Sequence, residues 1–202
     1  KDEKTNGHVN FRASVELIMN GIAPNVYAVY RNSDGQIYVH YGAHLLQCAN
    51  YSEDFFSADA MRIETPDNAC LIGCSTDTDV MPIMQFTRLT PCVANISPFV
   101  GINYATYDLE DIRAVVHGTY HSEAVCVERK NGTGEYSTHS ILHLIDRCAM
   151  KNIPVFLAPC SPTAFKYEST GDALQSGAFH IEGMTAEMAY VKTLIGCAMD
   201  LT

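Results

Sequence analysis

The sequence predicts an α/β fold whose second half is built on a parallel sheet of the doubly wound type. Three observations point there. From residue 99 onward, short apolar runs alternate with stretches whose apolar residues recur at helical spacing, which is the pattern of strand–helix units. The first ninety or so residues are β-rich and short of helices. Between these halves, residues 90–98 (TPCVANISP) carry a proline near each end and little periodicity, so they read as a linker between units 1–92 and 99–202.

The elements follow in order. Residues 10–20 place apolar side chains at helical spacing and end at Gly21, which suits a glycine-closed helix. Residues 26–30 and 36–41 are β-rich and are joined by Asn32, Ser33, Asp34 and Gly35, which is hairpin chemistry. Further strands are expected at 61–64, 70–74 and 83–89, between Pro and Asp/Asn turn signals. In the second half, residues 99–104 read as a strand, 109–113 as a short helix and 114–118 (AVVHG) as a second strand. A helix with an N-terminal serine cap is predicted over 137–150, from Ile141, Leu142, Leu144, Ile145 and Cys148. Residues 153–157 form an apolar strand that stops at Pro159, and 185–198 a closing helix capped by Thr185. In such a sheet, a ligand site lies beyond the carboxyl ends of the strands.

Composition narrows the function classes. The 202 residues are 47% hydrophobic and 18% charged, the balance of a folded globular chain, and they suffice for one substantial core or two modest ones. The net charge is −10, with 23 acidic against 13 basic residues and no long run of one sign, so a nucleic-acid partner is not expected. No apolar run approaches the length that spans a bilayer, and the first ten residues are polar, so neither a membrane span nor a signal peptide is expected. The eight cysteines lie mostly in apolar stretches such as ACLIGC and VFLAPC with no C-x-x-C pair, pointing to reduced thiols and a cytoplasmic location.

Five segments in order carry a family resemblance: GHVNFRASVEL at 7–17, the hairpin with Phe55, Phe56 and Ser57 after it, VGINY at 100–104, HGTYHS at 117–122 and GMTAEMAYVKTLIG at 183–196. Together they resemble the C-terminal portion of the L-asparaginase/glutaminase family of bacterial type I and II enzymes. Met184, Thr185, Glu187, Ala189 and Lys192 also resemble the closing helix of the asparaginase-like component of archaeal glutamyl-tRNA amidotransferases. The resemblance implies that 1–92 is the remainder of a flavodoxin-like N-terminal domain and 99–202 a small Rossmann-like C-terminal domain. It further implies hydrolysis of asparagine or glutamine through a threonine acyl-enzyme, with ammonia as first product, no cofactor or metal, and a homodimer or tetramer.

On this resemblance the threonine motifs belong upstream of Lys1, and none of the residues present is a catalytic one. The activating lysine of the family would fall near Leu45, Leu46 and Gln47, yet no lysine occurs between Lys4 and Lys130. Thr76–Asp79 reads as a polar turn. The substrate-binding loop implied by the resemblance comprises Gly118, Thr119, Tyr120, His121 and Ser122, reaching toward a neighbouring protomer, with Glu168 in a second segment at that interface. His121 stands where the family often has asparagine, and Thr119 and Ser122 serve equally well as turn or helix caps. Two other readings stay open: a metabolite-binding or oligomerisation protein that has lost hydrolysis, and an ammonia-supplying component of a tRNA-dependent amidotransferase.

Other constellations have simpler explanations. His139, His143 and Cys148 would make a zinc site if they shared a helix face, but no fourth ligand is evident. The pairs His40/His44 and His117/His121 flank glycine turns and read as satisfied polar or surface groups. Cys160 with His121 is a weaker nucleophile–base pair, because Cys160 follows an apolar strand.

Overall fold

The computed structural model describes residues 5–57, 89–130, 134–160 and 167–199. The chain divides into two compact units, Lys1–Met84 and Gln85–Thr202. The class is α/β, with mixed helices and sheets and a parallel four-stranded sheet in the second unit.

In the first unit, α1 (Gly7–Met19) begins earlier than its apolar spacing suggests and buries Ala13 and Leu17. Its end is fixed by Gly21 at φ +76°, with Gly21 N–H donating to Ile18 and Ile22 N–H to Leu17. That double closure satisfies carbonyls that would otherwise be orphaned, and only glycine adopts it without strain. The hairpin forms as expected, β1 (Tyr27–Arg31) pairing antiparallel with β2 (Ile37–Tyr41) so that Arg31 faces Ile37. Asn32 is buried because its amide exchanges two 3.0 Å hydrogen bonds with the backbone of Phe55. The strands expected at 61–64 and 70–74, the turn at 76–79 and all but the last residue of the strand expected at 83–89 lie outside the described residues.

The second unit departs from its sequence reading in two places. Residues read as linker hold β3 (Val93–Ile96), an integral strand of the parallel sheet. Residues 99–104, read as a strand, instead form a turn leading into a 3-10 turn at Tyr104–Thr106, and no helix forms at 109–113. The physical reason is visible in both cases. Arg147 donates to the carbonyls of Tyr104 and Tyr107, and Tyr104 N–H donates to the Thr138 carbonyl, so these contacts take the ladder's place. At the other site Asp111 sits at φ +58°, which ends any helix before strand β4 (Ala114–His117).

Helix α2 (Ile141–Ala149) starts at Ser140, whose hydroxyl accepts from Leu142 N–H at 3.2 Å; Ser137, at the predicted start, caps only the preceding turn. Strand β5 (Val155–Cys160) does not stop at Pro159. It runs through the proline because its register with β6 (Phe179–Glu182) is irregular between Leu157 and Cys160, so no ladder N–H is lost there. Between them lies α3 (Glu168–Gln175), and the unit closes with α4 (Ala186–Ala198), whose cap Thr185 accepts from Met188 N–H.

Strand order is β3-β4-β5-β6, all parallel and in chain sequence. Alternate residues divide the core. Ile96, Val115 and Leu157 pack with α2 and α3 on one face, while Val93, Ala114, Val116 and Ala158 pack with Ala189 and Cys197 of α4 on the other. Both faces are therefore covered, but the order never reverses. The crevice that a doubly wound sheet opens at its switch point is thus not formed among the described strands.

Candidate functional site

The groups that matter lie past the carboxyl ends of β3 and β4. His117, the last residue of β4, pairs with Ile96 on one side and Leu157 on the other, and it is fully buried. Tyr104 Oη lies 2.7 Å from its Nε2, and its Nδ1 lies 2.6 Å from the Gly118 carbonyl. A carbonyl can only accept, so Nδ1 carries the proton and Nε2 accepts from the tyrosine hydroxyl. Burial pulls His117 down to about 4, against a small opposing contribution from the Gly118 bond, so the ring is neutral near pH 7. Burial likewise raises the Tyr104 hydroxyl well above its ordinary value, keeping it a donor.

This dyad holds the turn that follows. Gly118 N–H donates to the Ile96 carbonyl at 2.8 Å. A Cβ added at Gly118 would lie 2.9 Å from Cδ of Pro98, a ring atom that cannot swing aside. We expect Gly118→Ala to destabilise the second unit by about 1–3 kcal/mol through this overpacking, read as a lower urea midpoint with an unchanged slope. Thr119 donates its hydroxyl to the Pro159 carbonyl at 2.9 Å, tying the turn to β5. Tyr120 N–H donates to the Ala124 carbonyl and Glu123 N–H to that of Tyr120, closing residues 120–124 on themselves with Glu123 at φ +63°. Thr170 of α3 then donates to the Glu123 carbonyl at 2.7 Å.

The residues expected to bind substrate thus divide. Gly118 and Thr119 form the base of the turn and are engaged by the backbone around them. His121 is exposed and Ser122 half-buried at its tip. Glu168 is exposed in the first turn of α3, two residues before Thr170, so the turn and the start of α3 are fastened to one another. Sequence reasoning took His117 only as a satisfied polar group and left Thr170 unremarked. A histidine ending an otherwise apolar run, AVVH, is the signal that identifies the first; Thr170 carries none before α3 is known.

The metal and thiol alternatives do not assemble. His139 precedes α2 and its ring lies 2.6 Å from the Ile102 carbonyl, while Cys148 is sealed in the core. Three potential metal ligands gather nowhere among the described residues. Cys160 is buried with its thiol on the Leu157 carbonyl at 3.6 Å, whereas His121 faces outward. Where the resemblance places a lysine, Leu45 forms a bridge to Ser57 and Leu46 N–H donates to the Phe56 carbonyl at 3.0 Å. Among the described residues no helix is long and apolar enough to cross a membrane.

No family model matches the chain, and neither the curated proteins nor the solved structures give a match.

Proposed function

We propose that this chain forms the substrate-side portion of an asparaginase/glutaminase-like amidohydrolase, converting a small amino-acid amide into its acid and ammonia. In this reading the first unit completes a flavodoxin-like domain and the second is the smaller Rossmann-like domain. The threonine nucleophile comes from a segment upstream of Lys1. No cofactor is needed, because a hydroxyl beside a proton acceptor suffices for acyl transfer. The protein works as a cytoplasmic homodimer or tetramer in which His121 and Ser122 reach a neighbouring active site.

One observation supports this above the others. A turn braced on four sides, by Pro98, Pro159, Thr170 and the buried His117, follows a parallel strand and carries the exposed His121 and the half-buried Ser122 at its tip. Such preorganisation suits orientation of a carboxylate or amide rather than general acid–base work. Glu168 at the start of α3 suits an ammonium group on the same small molecule.

The test compares ammonia release from asparagine and glutamine by this chain and by a chain extended upstream. We expect turnover only from the extended chain, falling at least tenfold when His121 and Ser122 are both replaced by alanine. Robust turnover by this chain alone would overturn the reading. The lack of any lysine between Lys4 and Lys130 favours a second reading, a metabolite-binding protein that no longer hydrolyses. Calorimetric binding of aspartate or asparagine by the extended chain, without ammonia release, would select it.

A further inference from the structure

At the end of the sheet opposite the candidate site, the approach to β3 meets the last turn of α4. Cys92 and Cys197 belong to the same buried cluster, and both line an open cleft of about 730 Å³ together with Thr90, Pro91, Asp111 and Arg113. Arg113 holds the two segments in place: its N–H donates to the Cys92 carbonyl at 2.8 Å and its guanidinium to the Cys197 carbonyl at 2.6 Å. Each thiol lies close enough to the other for the Cys197 group to raise the Cys92 thiol. We infer that Cys92 and Cys197 are a thiol pair that small-molecule disulfides convert reversibly into a disulfide, locking the end of α4 to the start of β3.

The chemistry balances with oxidised glutathione as the oxidant. The Cys92 thiolate attacks one glutathione sulfur, forming a mixed disulfide and expelling one glutathione thiolate. The Cys197 thiolate then attacks the Cys92 sulfur, closing the protein disulfide and expelling the second. Two protein thiols are oxidised, one glutathione disulfide is reduced to two thiols, and the two protein protons end on the leaving groups.

The surroundings set the rate as well as the outcome. Burial raises the Cys92 thiol first of all, and the Cys197 thiol adds to that, while the Arg113 charge pulls it back. The thiolate is therefore scarce, and exchange is slow but reachable through the cleft. The same positive charge, and the lack of any cluster of three metal ligands among the described residues, favour a disulfide over a bound cation. Because the link would join positions that enclose most of the second unit, it restricts the unfolded chain strongly.

The experiment incubates the chain with oxidised and reduced glutathione at defined ratios, quenches with acid, and maps peptides by mass spectrometry without reduction. The expected result is a Cys92–Cys197 linked peptide, two fewer alkylatable thiols and a melting temperature higher by several degrees. Cys92→Ser and Cys197→Ser should each abolish that linked peptide and the thermal shift, leaving glutathione on the remaining thiol. Cys48 is exposed, so its glutathionylation confirms that the oxidant acts. Glutathione on Cys48 while Cys92 and Cys197 both stay alkylatable would overturn the inference. So would a linked peptide that joins either of them to a different cysteine.

Discussion

Tyr104→Ala is expected to cost about 3–5 kcal/mol, the range for truncating a fully buried aromatic. That is a large share of the roughly 5–15 kcal/mol by which small domains are stable. The side chain is inaccessible to solvent, and its loss leaves a cavity between the 99–107 segment and the sheet. It also removes the only described partner of His117 Nε2. Tyr104→Phe separates the two contributions. It keeps the ring and strips the hydroxyl, leaving a buried acceptor unmet, at about 1–3 kcal/mol. Urea unfolding of the wild type and both variants checks this, with Ala below Phe below wild type in midpoint. A Tyr104→Phe protein as stable as the parent would mean that the dyad contributes nothing.

Acid should weaken the second unit through the same pair. The His117 ring takes a proton near pH 6.5 in the unfolded chain but only near 4 in the folded one. Between those values the unfolded state binds more protons, so stability falls as pH falls. Above 6.5 both states are neutral and the full stability is present; below 4 this group adds no further slope. The span corresponds to as much as about 3 kcal/mol. Urea midpoints at several pH values between 7 and 4 measure it, and His117→Asn is the control. The variant should show a shallower decline over this window, whatever carboxylates contribute in common. Parallel curves for the two proteins would contradict the assignment of a neutral, buried imidazole.

Much of the second unit is legible in the amino-acid sequence. The apolar runs around 114–117 and 155–157, the helical spacing from Ile141 to Cys148 and the Thr185 cap each announce an element by local pattern alone. What failed depended on partners distant in sequence. Val93–Ile96 looks like a linker because two prolines flank it, yet pairing with β4 makes it a strand. Residues 99–104 have strand composition, but Arg147 and Thr138 claim the backbone at Tyr104 from tens of residues away. Helix α3 and strand β6 are short and weakly apolar, and β6 is largely exposed, so neither leaves a periodic trace. The turn at Gly118 was legible as a turn. That it is braced by Thr170 and Pro159 was not, because those contacts span 47 and 40 residues.

The run of strands in unreversed order has a consequence for how the molecule is made. Helix α4 follows every described strand, yet among the described helices of the second unit it alone shields the side of the sheet bearing Val93, Ala114, Val116 and Ala158. Until that helix has been synthesised, the valine- and alanine-lined side of the sheet lacks the packing that α4 gives it. Closure of this side of the core therefore waits on α4, the described helix made after all four of the sheet's strands.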